Sequence, residues 1–404
     1  MINRRALLVS AASAAGLMTA PAWASDRFAP VVDRLRRFVD DGALPFAALR
    51  IARHGVVLAE AHVAGIEPVA AGSVYRLYSM TKPVVAAGVV LLVQDGRLTL
   101  ETPVAELIPE FAGLTVLDAD GQTVPARTMS VGHLLTHACG LANSWGGSRV
   151  APLYQAEGLI AGSWMYDPAV GGLDGFARRL GALPLAFQPG TDWLYGYGLD
   201  IAGLVIERVS GRRLGAFLDE RIFTPLGMTG AGFFAAEPGA LTGLYQTAAG
   251  GPHRVEGGSQ DLALRRPLAD GGSAGLVSTL DDYGRFADML AGGGARGGVR
   301  VMTEASARLL MSPWGPQAPL AAGLSRFFNG YDGFGQALGG VARLADDAGP
   351  GSAGEYGWGG AAGTSFWASP RLGLSVVVMT QLMRAGATPV REVLRPLIYQ
   401  ALAA

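Results

Sequence analysis

Residues 84–93 read Val-Val-Ala-Ala-Gly-Val-Val-Leu-Leu-Val, with no polar side chain among them. A helix of this composition has no face to offer to water, so the rest of the chain has to fold around it. Asp95-Gly96 closes the run, and Tyr78-Ser79-Met80-Thr81-Lys82-Pro83 precedes it. The pattern predicts a helix over 79–94 with Ser79 at its start. Residues at i and i+3 share one side of a helical turn, which brings the Lys82 amine to the Ser79 hydroxyl. Serine becomes a useful nucleophile only beside a base or in surroundings that favour its deprotonation. The apolar run supplies low-dielectric surroundings for such a pair.

A chain of 404 residues with 50% hydrophobic and 16% charged residues buries a large core and excludes a disordered or solvated body. A net charge of -1 provides no basic field, so nucleic acid is excluded as a partner. The 59 glycines, about twice the usual ~7%, imply many tight turns and close backbone approaches. At the N-terminus, Arg4-Arg5, the apolar segment 6–20 and Ala22-Trp23-Ala24 before Ser25 form an export signal over residues 1–24. The paired arginines suit a twin-arginine route and a periplasmic destination. No later stretch approaches the ~20 apolar residues of a membrane span, so the mature chain is expected to have none. Cys139 has no cysteine with which to pair.

Apolar residues at helical spacing over 28–39 predict a first helix, and 46–52 with 56–63 predict a β-hairpin about Arg53-His54-Gly55. From 99 to 272 the texture is irregular, with short helices at 103–107, 131–136, 173–180, 199–209 and 214–223 between Gly/Pro-rich loops. Regular structure returns with a helix over 279–290, N-capped by Thr279, with Asp281 and Asp282 in its first turn. Strands are expected at 331–338, 356–358, 364–368 and 374–381, and a last helix at 390–402. Strands therefore gather at both ends of the chain around a helical middle. Residues 25–98 with 273–404 are expected to form one lobe, and 99–272 a mostly helical one.

Two distant stretches join the Ser79/Lys82 pair: Trp193-Leu194-Tyr195-Gly196-Tyr197-Gly198, and Tyr356-Gly357-Trp358-Gly359-Gly360-Ala361-Ala362-Gly363. The glycines of the second let backbone approach an acyl group and present N–H donors. Together with His137-Ala138-Cys139-Gly140-Leu141, these motifs resemble the serine β-lactamase and penicillin-binding-protein superfamily, most closely the family VIII carboxylesterases on the class C β-lactamase fold. The resemblance spans about 26–402. It implies an α+β, β-lactamase/transpeptidase-like fold: an antiparallel sheet flanked by N- and C-terminal helices, plus a mostly helical second lobe. It further implies Ser79 as acyl acceptor, Lys82 and Tyr195 as the pair that moves its proton, and an oxyanion hole from the Ser79 and Ala361 N–H groups. A phenol serves as base only when its phenolate is stabilised, which a neighbouring ammonium does. Trp358, Gly359, Gly360 and Tyr197 are implied substrate contacts. The expected substrate is a small-molecule carboxylic ester with a short acyl chain, and no cofactor or metal is implied.

Two departures matter. Tyr197 stands where class C β-lactamases carry the asparagine of Y-x-N, and Trp358-Gly359-Gly360 replaces K-T-G. The missing lysine removes the cation that would meet a β-lactam carboxylate, so neutral esters fit better. The alternatives are a β-lactamase or D-amino-acid peptidase, an acyltransferase using the same site, and a catalytically silent binding homologue. A second candidate nucleophile, Ser273 in Gly271-Gly272-Ser273-Ala274-Gly275, has the G-x-S-x-G form, but none of the 5 histidines follows it, so the ordered triad of an α/β-hydrolase cannot be completed. A tight turn at a lobe junction is the expected use. His133 and His137 stand at i, i+4 without the H-E-x-x-H glutamate, which favours a core or loop-anchoring role over zinc. Trp145, Trp164, Tyr166, Phe327 and Phe328 fall in loop-like stretches, where they would divide between pocket and core.

Overall fold

The computed structural model describes residues 27–248, 250–255, 262–327, 330–346, 351–383 and 388–404. The export segment 1–24, Phe328 and the Phe327 side chain lie outside the described residues. Seven antiparallel strands form the main sheet: Ala47–Arg53 (β1), Val56–Val63 (β2), Phe334–Ala337 (β3), Gly340–Arg343 (β4), Tyr356–Gly359 (β5), Ser365–Ser369 (β6) and Leu374–Met379 (β7). Their spatial order is β3-β4-β5-β6-β7-β1-β2, so the first hairpin closes on the last strand, with Leu49 opposite Val378 and Ile51 opposite Val376. β-Branched residues suit such a strand, and β7 is buried along its whole length.

Burial of β1 and β7 requires helices over both faces, and the amphipathic patterns supply them. The helices that bear on the site and sheet are Ala29–Asp40 (α1), Thr81–Gln94 (α2), Val131–Leu135 (α3), Gly198–Ser210 (α4), Leu280–Ala291 (α5) and Val390–Ala403 (α6). α1 buries Val31, Leu35, Phe38 and Val39 and packs on β1, β2 and α6. α5 packs on β1, β6 and β7, and Thr279 caps it, its Oγ1 accepting the Asp282 N–H at 3.1 Å. Arg50 of β1 reaches α5 through the sheet's buried side. Its guanidinium donates to both carboxylate oxygens of Asp288 at 3.0 and 2.8 Å, with both side chains 1% exposed. Arg50 holds the Asp288 carboxyl below the usual carboxylate range despite its burial.

α2 is buried on every side from Thr81 to Leu92. Gly88 lets α4 and its successor come close: a Cβ there would stand 3.0 Å from Ile206 Cδ1 and Leu218 Cδ2. The helix starts at Thr81, later than expected. Ser79 lies in a 3₁₀ turn, Tyr78–Met80, and the residue before it, Tyr78, takes a left-handed backbone (φ 47°). Residues 99–272 carry the expected short helices together with two hairpins absent from the sequence reading, Thr115–Leu117 with Thr123–Pro125 and Tyr245–Ala248 with Gly251–Arg254. β4 was also not expected: its pattern Gly-Val-Ala-Arg is buried throughout and shows no alternation. Among the described residues, no helix is long and apolar enough to cross a membrane.

Removing Asp288 leaves the buried Arg50 charge, among the described residues, with Asp281 alone, 3.7 Å away and half exposed. Asp288→Ala is expected to destabilise the protein by about 3–5 kcal/mol in urea unfolding, with Arg50→Met/Asp288→Leu recovering much of the loss. A loss below about 1 kcal/mol, the range of an exposed pair, would show that water reaches this pair.

Candidate active site

The Ser79 turn is clamped from several directions. The strand Val74–Arg76 before it pairs with Val277–Thr279, and the Leu77 N–H donates to Leu276 O at 2.9 Å. After it, the Tyr283 hydroxyl of α5 donates to Met80 O at 2.9 Å, and Leu276 N–H donates to Thr81 Oγ1 at 3.2 Å. A left-handed non-glycine residue costs on the order of 1–3 kcal/mol, and the surrounding bonds hold Tyr78 in place against that cost. The result is a half-buried Ser79 presented from the N-terminal end of α2.

Two side chains meet its hydroxyl. Lys82 Nζ donates to Ser79 Oγ at 3.2 Å, and the Tyr195 hydroxyl donates to the same oxygen at 2.5 Å. The Lys82 ammonium also lies 4.5 Å from the centroid of the Tyr195 ring. Lys82 is 2% exposed, so the cation is shielded from water and its attraction to a phenolate is little screened. Tyr195 reaches this place because its loop lies tight against residues 134–142. A Cβ on Gly196 would stand 1.8 Å from Leu141 O, and one on Gly198 2.4 Å from Leu134 O. Leu194 N–H donates to His137 O, and Asn143 Nδ2 donates to Tyr195 O, both at 3.0 Å. The glycines of W-L-Y-G-Y-G are thus close-approach glycines that set the tyrosine.

β5 brings the third motif alongside. The Trp358 ring lies 6.2 Å from that of Tyr195 and stacks at 5.7 Å on Tyr331, forming a packed aromatic wall only 3% exposed at Trp358. Gly360 meets the serine turn directly, since a Cβ there would stand 2.4 Å from Leu77 O. Ala361 is exposed and lies in the turn after β5, two residues beyond the strand on which it was expected. Trp145, half exposed at 6.3 Å from Tyr195, extends the wall outward, whereas Trp164 is core, stacked on Phe176. Tyr197 corrects the sequence reading. It is 1% exposed, donates its hydroxyl to Leu159 O at 2.5 Å and accepts the Ser144 N–H at 3.2 Å. Burial pushes its phenol up to about 12. It pins the 144–159 loop from beneath, since the side chain two residues after Tyr195 turns into the core.

Ser273, expected only as part of a tight turn, and Asp200, given no part by sequence, stand close to the cluster. Lys82 Nζ makes its shorter bond, 2.7 Å, to the backbone carbonyl of Ser273, and the Ser273 N–H donates to Asp200 Oδ1 at 2.9 Å. The G-x-S-x-G segment is a turn pressed on the start of α4: a Cβ on Gly272 would stand 1.9 Å from Leu199 O, and Gly275 has φ 110°. The residue pattern held this signal in its glycines alone, with no indication of which carbonyl they expose. Asp200 is 2% exposed, and burial raises its carboxyl's pKa above the usual range.

His133 and His137 do not share a helix face. α3 ends at Leu135, and His137 has φ 57°. His133 Nδ1 accepts the Ser130 N–H at 3.1 Å, closing a capping box, while His137 packs its ring 4.6 Å from Tyr195 and is 1% exposed. Among the described residues no group of three or more potential ligands is placed to hold a metal. Burial, aided by the Lys82 charge, lowers the His137 pKa well below its usual value. The unfolded chain therefore takes up a proton below about pH 6.5 that the folded chain refuses, so the stability present above that pH is lost as pH falls. His137→Gln should reduce the fall in urea-unfolding stability between pH 7 and pH 5. An unchanged slope would assign the pH dependence elsewhere.

Comparison with known proteins agrees with this geometry. The Beta-lactamase family profile matches residues 31–399. Esterase EstB of Burkholderia gladioli is 32% identical over 367 residues, 86% of this chain and 89% of that one. Lovastatin esterase of Penicillium rubens is 29% identical over 319 residues, 69% of this chain and 72% of that one. Among solved structures, EstCE1, described as a hydrolase with promiscuous acyltransferase activity, superposes with a TM-score of 0.80 at 24% identity, covering 95% of this chain and all of its own. The fold is the β-lactamase/transpeptidase-like one, and the chain belongs to the beta-lactamase family.

Proposed function

We propose that the protein is a serine carboxylesterase that cleaves small carboxylic esters, favouring short acyl chains, through an acyl-Ser79 intermediate. The observation that carries this reading is the convergence of Lys82 Nζ and the Tyr195 hydroxyl on Ser79 Oγ at 3.2 and 2.5 Å. Ser79 Oγ attacks the ester carbonyl as its proton passes to Tyr195 in its phenolate form, which the buried Lys82 ammonium stabilises beforehand, and the negative charge moves to the carbonyl oxygen. The Ser79 and Ala361 N–H groups receive the oxyanion. Tyr195 returns the proton to the leaving alcohol, and water then enters by the same route in reverse. An alcohol in place of water would make the same site an acyltransferase.

Trp358 occupies the strand position where the resemblance places a lysine and, 3% exposed, packs behind the Tyr195 ring, so what it brings to the site is the absence of that charge and an apolar setting. Gly359 and Gly360 leave backbone within reach of an acyl or alcohol group, and Trp145 extends the apolar surface at the mouth. The 32% identity to Esterase EstB supports ester substrates for this chain as well.

A fluorophosphonate probe is expected to label the peptide containing Ser79 and to leave that of Ser273 unlabelled. p-Nitrophenyl acetate should give a burst, and Ser79→Ala should abolish both burst and labelling. Nitrocefin run in parallel should show a lower kcat/KM than the ester. A nitrocefin value equal to or above the ester's would reverse the substrate assignment, and labelling at Ser273 would displace Ser79. Residues 1–24 support export to the periplasm, the paired arginines allowing the twin-arginine route. Intact mass of protein recovered from the periplasm should correspond to a chain beginning at Ser25, and an uncleaved chain confined to the cytoplasm would refute it.

A further inference from the structure

We infer that Asp200 is a positioning residue for the Ser79–Lys82 pair, acting through the backbone of Ser273. Lysine's ammonium rides on a flexible four-carbon stem, so its place is set by the acceptors around it. The shorter of the two bonds described for Lys82 runs to Ser273 O at 2.7 Å, against 3.2 Å to Ser79 Oγ. Whatever fixes that carbonyl therefore fixes the ammonium. Ser273 sits in Gly271-Gly272-Ser273-Ala274-Gly275, three glycines in five residues, and glycine backbone has the widest freedom to relax. Asp200 restrains it: Oδ1 accepts the Ser273 N–H at 2.9 Å from a side chain 2% exposed.

The anchor is built on a rigid support. Asp200 lies in the first turn of α4, where the helix dipole favours a carboxylate, and Leu199 O packs so closely on Gly272 that a Cβ would stand 1.9 Å away. The same short segment carries Tyr195 and Asp200. One rigid piece of chain thus places a hydroxyl on Ser79 from one side and, through the loop, aims the lysine at it from the other. The Ser273 N–H···Oδ1 bond at 2.9 Å ties Asp200 to the turn, and the Ser273 hydroxyl and the Gly272 backbone also act on the same carboxyl. The role requires an oxygen acceptor at this position and not a charge. The conservative amide should therefore perform it.

The inference rests on the reading of Ser79 as nucleophile. The test compares Asp200→Ala and Asp200→Asn by ester turnover and by the rate of fluorophosphonate labelling at Ser79. Misplacing a reacting group by about 1 Å costs on the order of 100-fold, so Asp200→Ala should lower kcat by roughly 10- to 100-fold with KM unchanged. Labelling should slow in parallel, and Asp200→Asn should restore most of both rates. A wild-type kcat in Asp200→Ala, a loss confined to KM, or an Asp200→Asn as slow as the alanine variant overturns the inference. Should Asp200→Ala fail to fold, Asp200→Ser, whose hydroxyl is too short to reach the Ser273 N–H, is held to the same outcomes. Wild-type protein left unlabelled at Ser79 would refute the nucleophile instead, which separates the two failures.

Discussion

A lysine ammonium held out of water is the constraint on which the structure turns. Lys82 sits in the first turn of α2, a helix with no solvent-facing side, at the end whose dipole disfavours a cation. Burying such a charge costs several kcal/mol unless hydrogen bonds and polarisable groups replace its water. The replacements are Ser273 O, Ser79 Oγ and the face of Tyr195. They come from the turn before α2, the loop before α4 and the glycine turn before α5. Those segments must all converge for the lysine to be tolerated, so holding the charge and building the site are one requirement.

The sheet supplies the rigidity for that convergence. β7, paired with β1 on one side and β6 on the other, ties the two ends of the chain together, and the Arg50–Asp288 pair joins the sheet to α5. α5 in turn holds the serine turn through Tyr283. The nucleophile is thereby connected to the core by a short series of buried bonds, which is how a left-handed Tyr78 survives next to it. Close packing, and not the serine alone, keeps Ser79 out of the helix that follows it.

Much of this was legible beforehand for specific reasons. The hairpin of β1 and β2, α1, α5 with its Thr279 cap, and α6 each carry strong periodicity or a cap. β4 and the two hairpins of the middle region did not show, because short strands buried on both faces or formed of mixed polar residues lack a period to read. Ser79, Lys82 and Tyr195 were singled out through a motif resemblance, and the structure places their polar atoms within hydrogen-bond reach. Tyr197 was misread because a motif records spacing along the chain, whereas the direction of a side chain after a close-approach glycine depends on what backbone lies beneath. Ser273 was weighed as a nucleophile when its carbonyl, a group every residue possesses, is the atom that meets Lys82.

Sequence by itself determined that residues 84–93 form the buried centre and that a serine and a lysine stand one turn apart at its head. Those follow from local composition and spacing, which act over a few residues. Only the tertiary structure decided which oxygen holds the lysine, that Asp200 backs that oxygen, and that Tyr197 is a core pin. Those depend on where backbone segments 38 to 191 residues apart come into contact, and van der Waals packing between glycines and carbonyls sets that placement.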